Sequence, residues 1–436
     1  MAQQAQKGLL WRDNDMGELA PTWTIVPDLS VIKSVAVEHL PEGYTDINVS
    51  FFAEGSFNKL YCVSSPHISQ KYFLRVALPV EPFFKTESEV ATLAYIRKHT
   101  TIPVPKVLAY CSSSDCELGF EWILMEKIEG VPLSDIWNEM SFDSKESLTL
   151  EMCNHLKVLH DLPFTQIGNL YFRSVSEQVG TGKSSGGLET NSCKTAIDRG
   201  IGTEFVIGRV VSPWFFRDKR ISLSAARGPF SCSYQYMMAK TRMQIERIKH
   251  LSPLPTDDYY SETDELLAED QEDVLDTCHS LEALVPHIFS PHGRDDEDNL
   301  LYHDDLSASN IIVDPISHRV TGVVDWECVS IHPAWEAAEF PFFLRGIEVP
   351  EPPPQEPGIV EPDLVEIRKD WEKVCLRRLY RKTLQDNFEL SPDIMRKQKF
   401  SFCLENIEMN WTASQYWAQT QLEEPGLETG PTTLQS

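Results

Sequence analysis

The sequence predicts an α+β chain with two unequal parts: an antiparallel sheet carrying one helix, then a larger and mainly helical part. Three observations predict this. Between Val49 and Met125, short apolar runs are separated by glycine and polar turns, as in hairpin-linked strands. From Lys145 onward the apolar residues recur at helical spacing in several long stretches. Near residue 300, two apolar strands enclose a polar loop, and a third strand follows.

Residues 1–44 read as a polar arm anchored by Trp11, Trp23 and Ile25. The sheet part spans 45–128. Val49-Ser50-Phe51-Phe52, Leu60-Tyr61-Cys62-Val63 and Tyr72-Phe73-Leu74-Arg75-Val76 are its first strands, and Glu54-Gly55-Ser56-Phe57-Asn58 is the turn between the first two. The helix of this part covers 86–99, with Val90, Leu93, Ala94 and Ile96 on one face. Thr86 followed by Glu89 fits a capping box at its start. Ile102-Pro103-Val104-Pro105 ends it, because residues before proline avoid helical backbone. Two more strands follow at 107–110 and 122–125.

The helical part spans 129–425, and residues 426–436 read as a frayed tail. Helices are predicted over 145–159, 234–248, 270–285, 363–386 and 392–419. An insertion rich in Ser, Gly and Thr begins at 173 and ends near 235 without a steady period. The acidic stretch 257–276 reads as a solvated face or linker, Asp295-Asp296-Glu297-Asp298 as a surface turn, and 350–362 as a proline-rich loop. There is no internal repeat.

Composition excludes several classes. With 42% hydrophobic and 24% charged residues, the chain is neither mainly disordered nor collagen-like. Asp and Glu outnumber Lys and Arg by 66 to 39, so anionic nucleic acid and membrane surfaces are not expected partners. The same acidity suits cationic small molecules. The ten cysteines form no C-x-x-C pair, which argues against a zinc site or a disulfide framework. Met1 to Trp23 lacks an apolar core and carries Asp13, Asp15 and Glu18, unlike a signal peptide or a good mitochondrial presequence. A reducing compartment, the cytosol, is the expected location. Oligomeric state is not legible.

The chemistry concentrates in Leu300-Leu301-Tyr302-His303-Asp304-Asp305-Leu306-Ser307-Ala308-Ser309-Asn310-Ile311-Ile312-Val313-Asp314 and in the next strand, 320–324, which ends in Asp325-Trp326-Glu327. Asp305, Asn310 and Asp325 are thereby delivered to one end of a hairpin-like unit. Phosphoryl transfer from a nucleotide needs such a set. One carboxylate orients the attacking hydroxyl and accepts its proton, a role that fits Asp305. Magnesium on the phosphates prefers hard oxygen ligands, a role that fits Asn310 and Asp325. His303 reads as a structural residue and Asp304 as a solvent-facing charge.

His303-x-Asp305-Leu306-x-x-x-Asn310, with a strand ending in Asp325, resembles the catalytic and metal loops of the aminoglycoside phosphotransferase family, in particular its fungal phosphotransferase enzyme group. Glu89-Val90-Ala91-Thr92-Leu93, Ile102-Pro103-Val104-Pro105, Trp122-Ile123-Leu124-Met125-Glu126 with Gly130, and Ile167-Gly168-Asn169-Leu170-Tyr171 match in the family's order, over about residues 45–345. The resemblance implies a bilobal protein kinase-like fold and an ATP- and Mg2+-dependent small-molecule kinase.

It also implies the nucleotide site. Backbone N–H groups at Gly55, Ser56, Phe57 and Asn58 would cover the phosphates. Arg75 stands where the kinase pattern has lysine, with Glu89 as its expected partner and Lys85, in the loop before the helix, as the rival cation. The link between lobes, from Glu126 to Ile128, would pair with adenine through its backbone. The acceptor would be a small hydroxyl compound bound by the helical part and the insertion, and an acidic cleft would favour a cationic one. A catalytically weak nucleotide-binding or scaffold protein stays open, because Arg75 and Asp304 depart from the pattern. A protein kinase would need an A-P-E segment, and Ile331-His332-Pro333-Ala334-Trp335-Glu336 stands in that place. A metal-dependent hydrolase using His303 and Asp305 lacks paired histidines.

Overall fold

The structure, a computed structural model, describes residues 7–14, 19–175, 194–195, 204–251, 262–291, 298–352, 362–384 and 391–423. The expected tail at 426–436, most of the acidic turn before Asp298, most of the proline-rich loop and much of the insertion lie outside these.

The N-lobe is a six-stranded antiparallel sheet in the order β10-β6-β7-β5-β4-β3. Its strands are β3 (Asn48–Glu54), β4 (Asn58–Ser65), β5 (Ile68–Ala77), β6 (Val107–Cys111), β7 (Trp122–Glu126) and the short β10 (Lys194–Thr195). Alternation along β5 decides which side chains face the cleft. Tyr72, Leu74 and Val76 point to the outer face, where they share a core with Trp122 and Leu124. Phe73 and Arg75 therefore point to the inner face.

The stretch read as a polar arm is instead built into this lobe. It holds the hairpin β1 (Leu9–Asp13) and β2 (Leu19–Trp23) and helix α1 (Leu29–His39). Asp28 caps α1 by accepting the Ser30 N–H at 2.7 Å. Ile32, Val35 and Ala36 of α1 then bury against the outer face of the sheet. Those three positions have helical spacing, and Val31 and Leu40 pack beside them, so the helical signal is present in the sequence read as an arm. Trp23 packs on Phe120, whereas Ile25 is exposed and anchors nothing.

Helix α2 (Phe84–His99) lies on the inner side and starts earlier than predicted. No capping box forms. Thr86 sits inside the first turn and gives its hydroxyl to Glu121, while Glu89 turns to Arg75. Glu121, just before β7, also accepts the Phe83 N–H and so serves the helix start from across the lobe. Lys85, read as a loop residue, belongs to this first turn and is 2% exposed.

Burial pushes the Glu121 carboxyl up to about 7, against the lowering effect of its hydrogen bonds. Between pH 4.5 and 7 the folded protein therefore keeps a proton that the unfolded chain has lost. This group's contribution to stability falls as pH rises through that window, by up to about 3 kcal/mol, and is constant above it. Glu121→Gln should remove the dependence. Urea midpoints of wild type and variant, compared from pH 5 to 8, should diverge over that range; parallel profiles would contradict the assignment.

Gly130 leads into the C-lobe at φ +131°, and a Cβ there would lie 2.5 Å from the Val313 carbonyl oxygen. The C-lobe contains the short helix α3 (Leu133–Ile136), α4 (Phe142–His160), α5 (Pro213–Phe216), α6 (Ser233–Lys249), α7 (Glu262–Glu269), α8 (Gln271–Ile288), α9 (Ala334–Ala337), α10 (Pro362–Leu384), α11 (Pro392–Glu405) and α12 (Ile407–Leu422). The predicted helix over 392–419 is thus two, joined at Asn406. The acidic stretch read as a linker forms α7 and the start of α8. Part of the insertion is ordered as β11 (Phe205–Gly208), paired with β9 (Asn169–Phe172). Two small sheets carry the chemical loops: β12 (Asn299–Tyr302) with β15 (Ser330–Pro333), and β14 (Val320–Val323), β13 (Ile311–Val313) and β8 (Val131–Pro132). Among the described residues, no helix is long and apolar enough to cross a membrane, and the nine described cysteines form no disulfide.

Candidate active site

Asp305 lies in the turn between β12 and β13, and its side chain is open to solvent. The turn is tied by Ser307 N–H to the Asp305 carbonyl at 2.8 Å and by Asn310 N–H to the Ser307 carbonyl at 3.1 Å. The Asn310 amide nitrogen donates to the Asp305 carbonyl at 2.8 Å and to its carboxylate at 3.1 Å. With the nitrogen so used, the amide oxygen is left as the coordinating end. Val324 N–H to the Asn310 carbonyl, at 2.9 Å, ties this turn to the end of β14. His303 is buried, meets the Val324 carbonyl at 3.1 Å and packs edge-on against Trp326. It braces the two turns, in keeping with a structural role.

Asp325 follows β14 at φ +64°, a backbone conformation uncommon outside glycine. Its carboxylate accepts from Arg75 at 2.8 Å. Arg75 also pairs with Glu89, the partner expected from the sequence, and with Glu327 at 2.9 Å. Lys85 reaches the same Glu327 oxygen at 2.6 Å and the Asn58 side-chain oxygen at 3.0 Å. Asn58 in turn donates to Glu327 at 2.6 Å. Asn58, expected in the phosphate turn, is the first residue of β4, and its side chain is spent inside this cluster.

Two cations and three carboxylates are therefore gathered between the lobes. Burial and the neighbouring Glu327 hold the Asp325 carboxyl above its ordinary range. Glu327 is pulled below its range, because Arg75 and Lys85 outweigh its burial. Glu327 is the residue that sequence reading passed over, and Lys85, read as a rival to Arg75, joins it in the same cluster. The available signal was Asp325-Trp326-Glu327 itself, where two acids straddle a buried tryptophan.

Gly55 and Ser56 form the turn between β3 and β4, closed by Gly55 N–H to the Asn58 carbonyl at 2.9 Å. Phe57 packs edge-on against Phe216 at 5.3 Å between ring centroids, which holds the turn toward the C-lobe. At the link between lobes, the Glu126 N–H is committed to the Lys106 carbonyl and the Lys127 N–H to the Lys71 carbonyl. Ile128 is the link residue whose N–H has no partner among the described residues. Its side chain covers Gly322, where a Cβ would meet it at 2.4 Å. Phe52 stacks on Phe73 at 4.7 Å, on the inner face of the sheet, giving the cleft an aromatic wall that the sequence reading did not single out.

Beyond Asp304, a cavity of about 530 Å³ opens among α6, α9, α11 and α12, with Trp214 and Leu19 on its wall. Residues 48–338, from β3 through α9, match the phosphotransferase enzyme family. The chain belongs to this family. Its membership accords with the bilobal protein kinase-like architecture described above.

Within the family's wider circle, the chain is 25% identical over 338 residues to a subtelomeric hrmA-associated cluster protein of Aspergillus fumigatus, covering 70% of this chain and 64% of that protein. It is 27% identical over 333 residues to altered inheritance of mitochondria protein 9, mitochondrial, of Zygosaccharomyces rouxii, covering 71% and 52%. The chain thus spans between half and two thirds of the length of these relatives. Among solved structures it is similar to Plasmodium vivax ethanolamine kinase, at 13% identity and a TM-score of 0.47 over 92% of this chain and 90% of that one. It is also similar to a thermostable mutant of aminoglycoside phosphotransferase APH(4)-Ia in ternary complex with AMP-PNP and hygromycin B, at 13% identity and a TM-score of 0.44 over 90% and 96%. The cytosolic location expected from the sequence is overturned by relatives named as mitochondrial in several yeasts. The N-terminal composition on which that expectation rested does not carry it.

Proposed function

We propose that this phosphotransferase transfers the γ-phosphoryl group of ATP to a hydroxyl of a small acceptor. The observation that carries the reading is that hydrogen bonds join Asn310 to Asp305 and to the end of β14, where Asp325 holds Arg75, with a cavity lined by Asp304 beside them. Asp305 orients the acceptor hydroxyl and takes its proton. The oxygen attacks the γ-phosphorus, the bond to the β–γ bridging oxygen breaks, and the products are a phosphate monoester and ADP. Arg75 and Lys85 supply positive charge for the phosphates, and Glu89 holds Arg75 in place. Ser56 and Phe57 offer backbone N–H groups over the phosphates, and Gly55 closes the turn that presents them. Glu126 and Ile128 line the adenine end, with the Ile128 N–H as the donor. The Asn310 amide oxygen and the Asp325 carboxylate are hard oxygen donors suited to Mg2+, and too few to hold it without phosphate oxygens. Bound there, the metal would neutralise charge on the transferring phosphate.

Thermal unfolding with and without ATP and Mg2+ tests this. A ligand that binds the folded state raises the midpoint. The rise should need magnesium, and Asp325→Ala should lose most of it while keeping any shift seen with metal-free ATP. No shift in wild type with any nucleotide would favour the scaffold reading. The mitochondrial relatives support action in mitochondria, and fractionation of cells expressing the tagged protein should recover it with that organelle; recovery only in the soluble cytosol would refute this.

A further inference from the structure

The cavity at Asp304 is lined by six carboxylates, an arrangement that suggests a seat for a polycation until their partners are counted. Lys240 pairs with Glu405 at 2.5 Å, and Arg220 with Glu408 at 2.5 Å. Arg247 pairs with Asp264. Nearer to Asp305, Arg345 pairs with Glu339 at 2.7 Å, and His332 with Glu336 at 2.8 Å. Each of these acids is already matched by a cation of the protein itself. Asp304 is the sixth, and Arg217 on the same wall has no ion-pair partner among the described residues, so with His332 protonated the charges of the wall balance.

The aromatic faces tell the same story. Stacking over an aromatic ring is the other common way to hold an organic cation. The Trp214 ring is taken by Arg220 at 4.6 Å and Lys240 at 5.1 Å, the Tyr236 ring by Lys240 at 5.3 Å and the Phe402 ring by Lys399 at 4.7 Å, while Tyr302 packs with His332 and Trp335 with Phe289. What the wall still offers is hydrogen bonding. Ser212, Gln398, Ser401 and Asn406 add neutral hydroxyl and amide groups to it. A carboxylate in an ion pair, such as Glu339, keeps lone pairs that can accept from a hydroxyl.

We infer that the acceptor is a polyhydroxylated small molecule without net positive charge, in the manner of a neutral sugar or cyclic polyol, and not an amine. This rests on the phosphotransferase reading above. It sets aside the cationic acceptor suggested by the chain's overall charge of -27, because that charge is not concentrated in this cavity. Transfer would join the phosphoryl group to a hydroxyl oxygen at Asp305, while the other hydroxyls occupy the donors and acceptors of the wall.

The test uses the full chain with Mg-ATP at neutral pH and matched acceptors that differ in one group, glucose against glucosamine and galactose against galactosamine, with ADP release and phosphate-ester formation both measured. Neutral members should give kcat/KM at least about tenfold above their amino partners. In Arg345→Gln, Glu339 is freed beside Asp304, and the ratio should move toward the amino sugars by about tenfold; Arg345 is partly exposed, so folding is not at stake. Equal or better use of the amino sugars by wild type overturns the inference, as does an unchanged ratio in the variant. A magnesium-dependent ATP shift without transfer to any of these acceptors also overturns it, while leaving the kinase reading standing. Absence of the ATP shift removes both.

Discussion

Asp305→Asn should lower phosphoryl transfer by roughly 10² to 10⁴-fold while leaving the fold and nucleotide binding close to wild type. The structural grounds are specific. The Asp305 carboxylate is exposed and takes one hydrogen bond, from Asn310 at 3.1 Å, whereas its backbone carbonyl holds Asn310 at 2.8 Å. An asparagine side chain keeps an acceptor for the first contact and leaves the second untouched. The turn and the amide oxygen of Asn310 therefore stay in place, and what is lost is a base for the acceptor's proton. Single-turnover transfer should fall, and the magnesium-dependent rise in unfolding midpoint should persist. Near-normal transfer by the variant would remove Asp305 from the chemistry, and a parallel collapse of nucleotide binding would make its role structural.

Asp305, Asn310 and Asp325 were legible because their spacing is local. Strand, turn and strand fix where those side chains go, whatever surrounds them. Arg75 and Glu89 were legible for a related reason, since one strand and the following helix must pack in a single way. Lys85 and Glu327 were not, because their meeting joins segments 242 positions apart and depends on where α2 begins. That boundary is set by Glu121 at the helix start and not by a local capping box, so Lys85 looked like a loop residue. Helix α1 was missed for a different reason: its local signal, the Asp28 cap followed by Ile32, Val35 and Ala36 at helical spacing, lies inside a segment read whole as an arm. The cavity walls come from helices far apart in sequence, so composition reported their charge without reporting that the charge was paired.

Glu327→Ala should cost about 3–5 kcal/mol of stability, the range for breaking a buried ion pair from one side. Glu327 is the acceptor at which Arg75, Lys85 and Asn58 meet. Without it, the buried Lys85 ammonium keeps only the Asn58 oxygen as a hydrogen-bond partner, and Arg75 keeps Glu89 and Asp325. Removing both ends should hurt less than removing one, so Lys85→Met combined with Glu327→Leu should be more stable than Glu327→Ala alone. Urea unfolding of the three proteins gives the comparison. A single-variant cost below about 1 kcal/mol, or a double variant worse than the single, would mean the cluster is not electrostatically coupled as described. The sign of the cluster links this to function. Arg75 and Lys85 face Glu89, Asp325 and Glu327, so with all five ionised the site is one positive charge short. A divalent cation arriving with nucleotide phosphates would compensate that deficit and give Arg75 an anion to hold in place of Asp325. On this account Glu327 keeps Lys85 and Arg75 charged and positioned in the free protein, so that binding exchanges partners within a built site instead of assembling one.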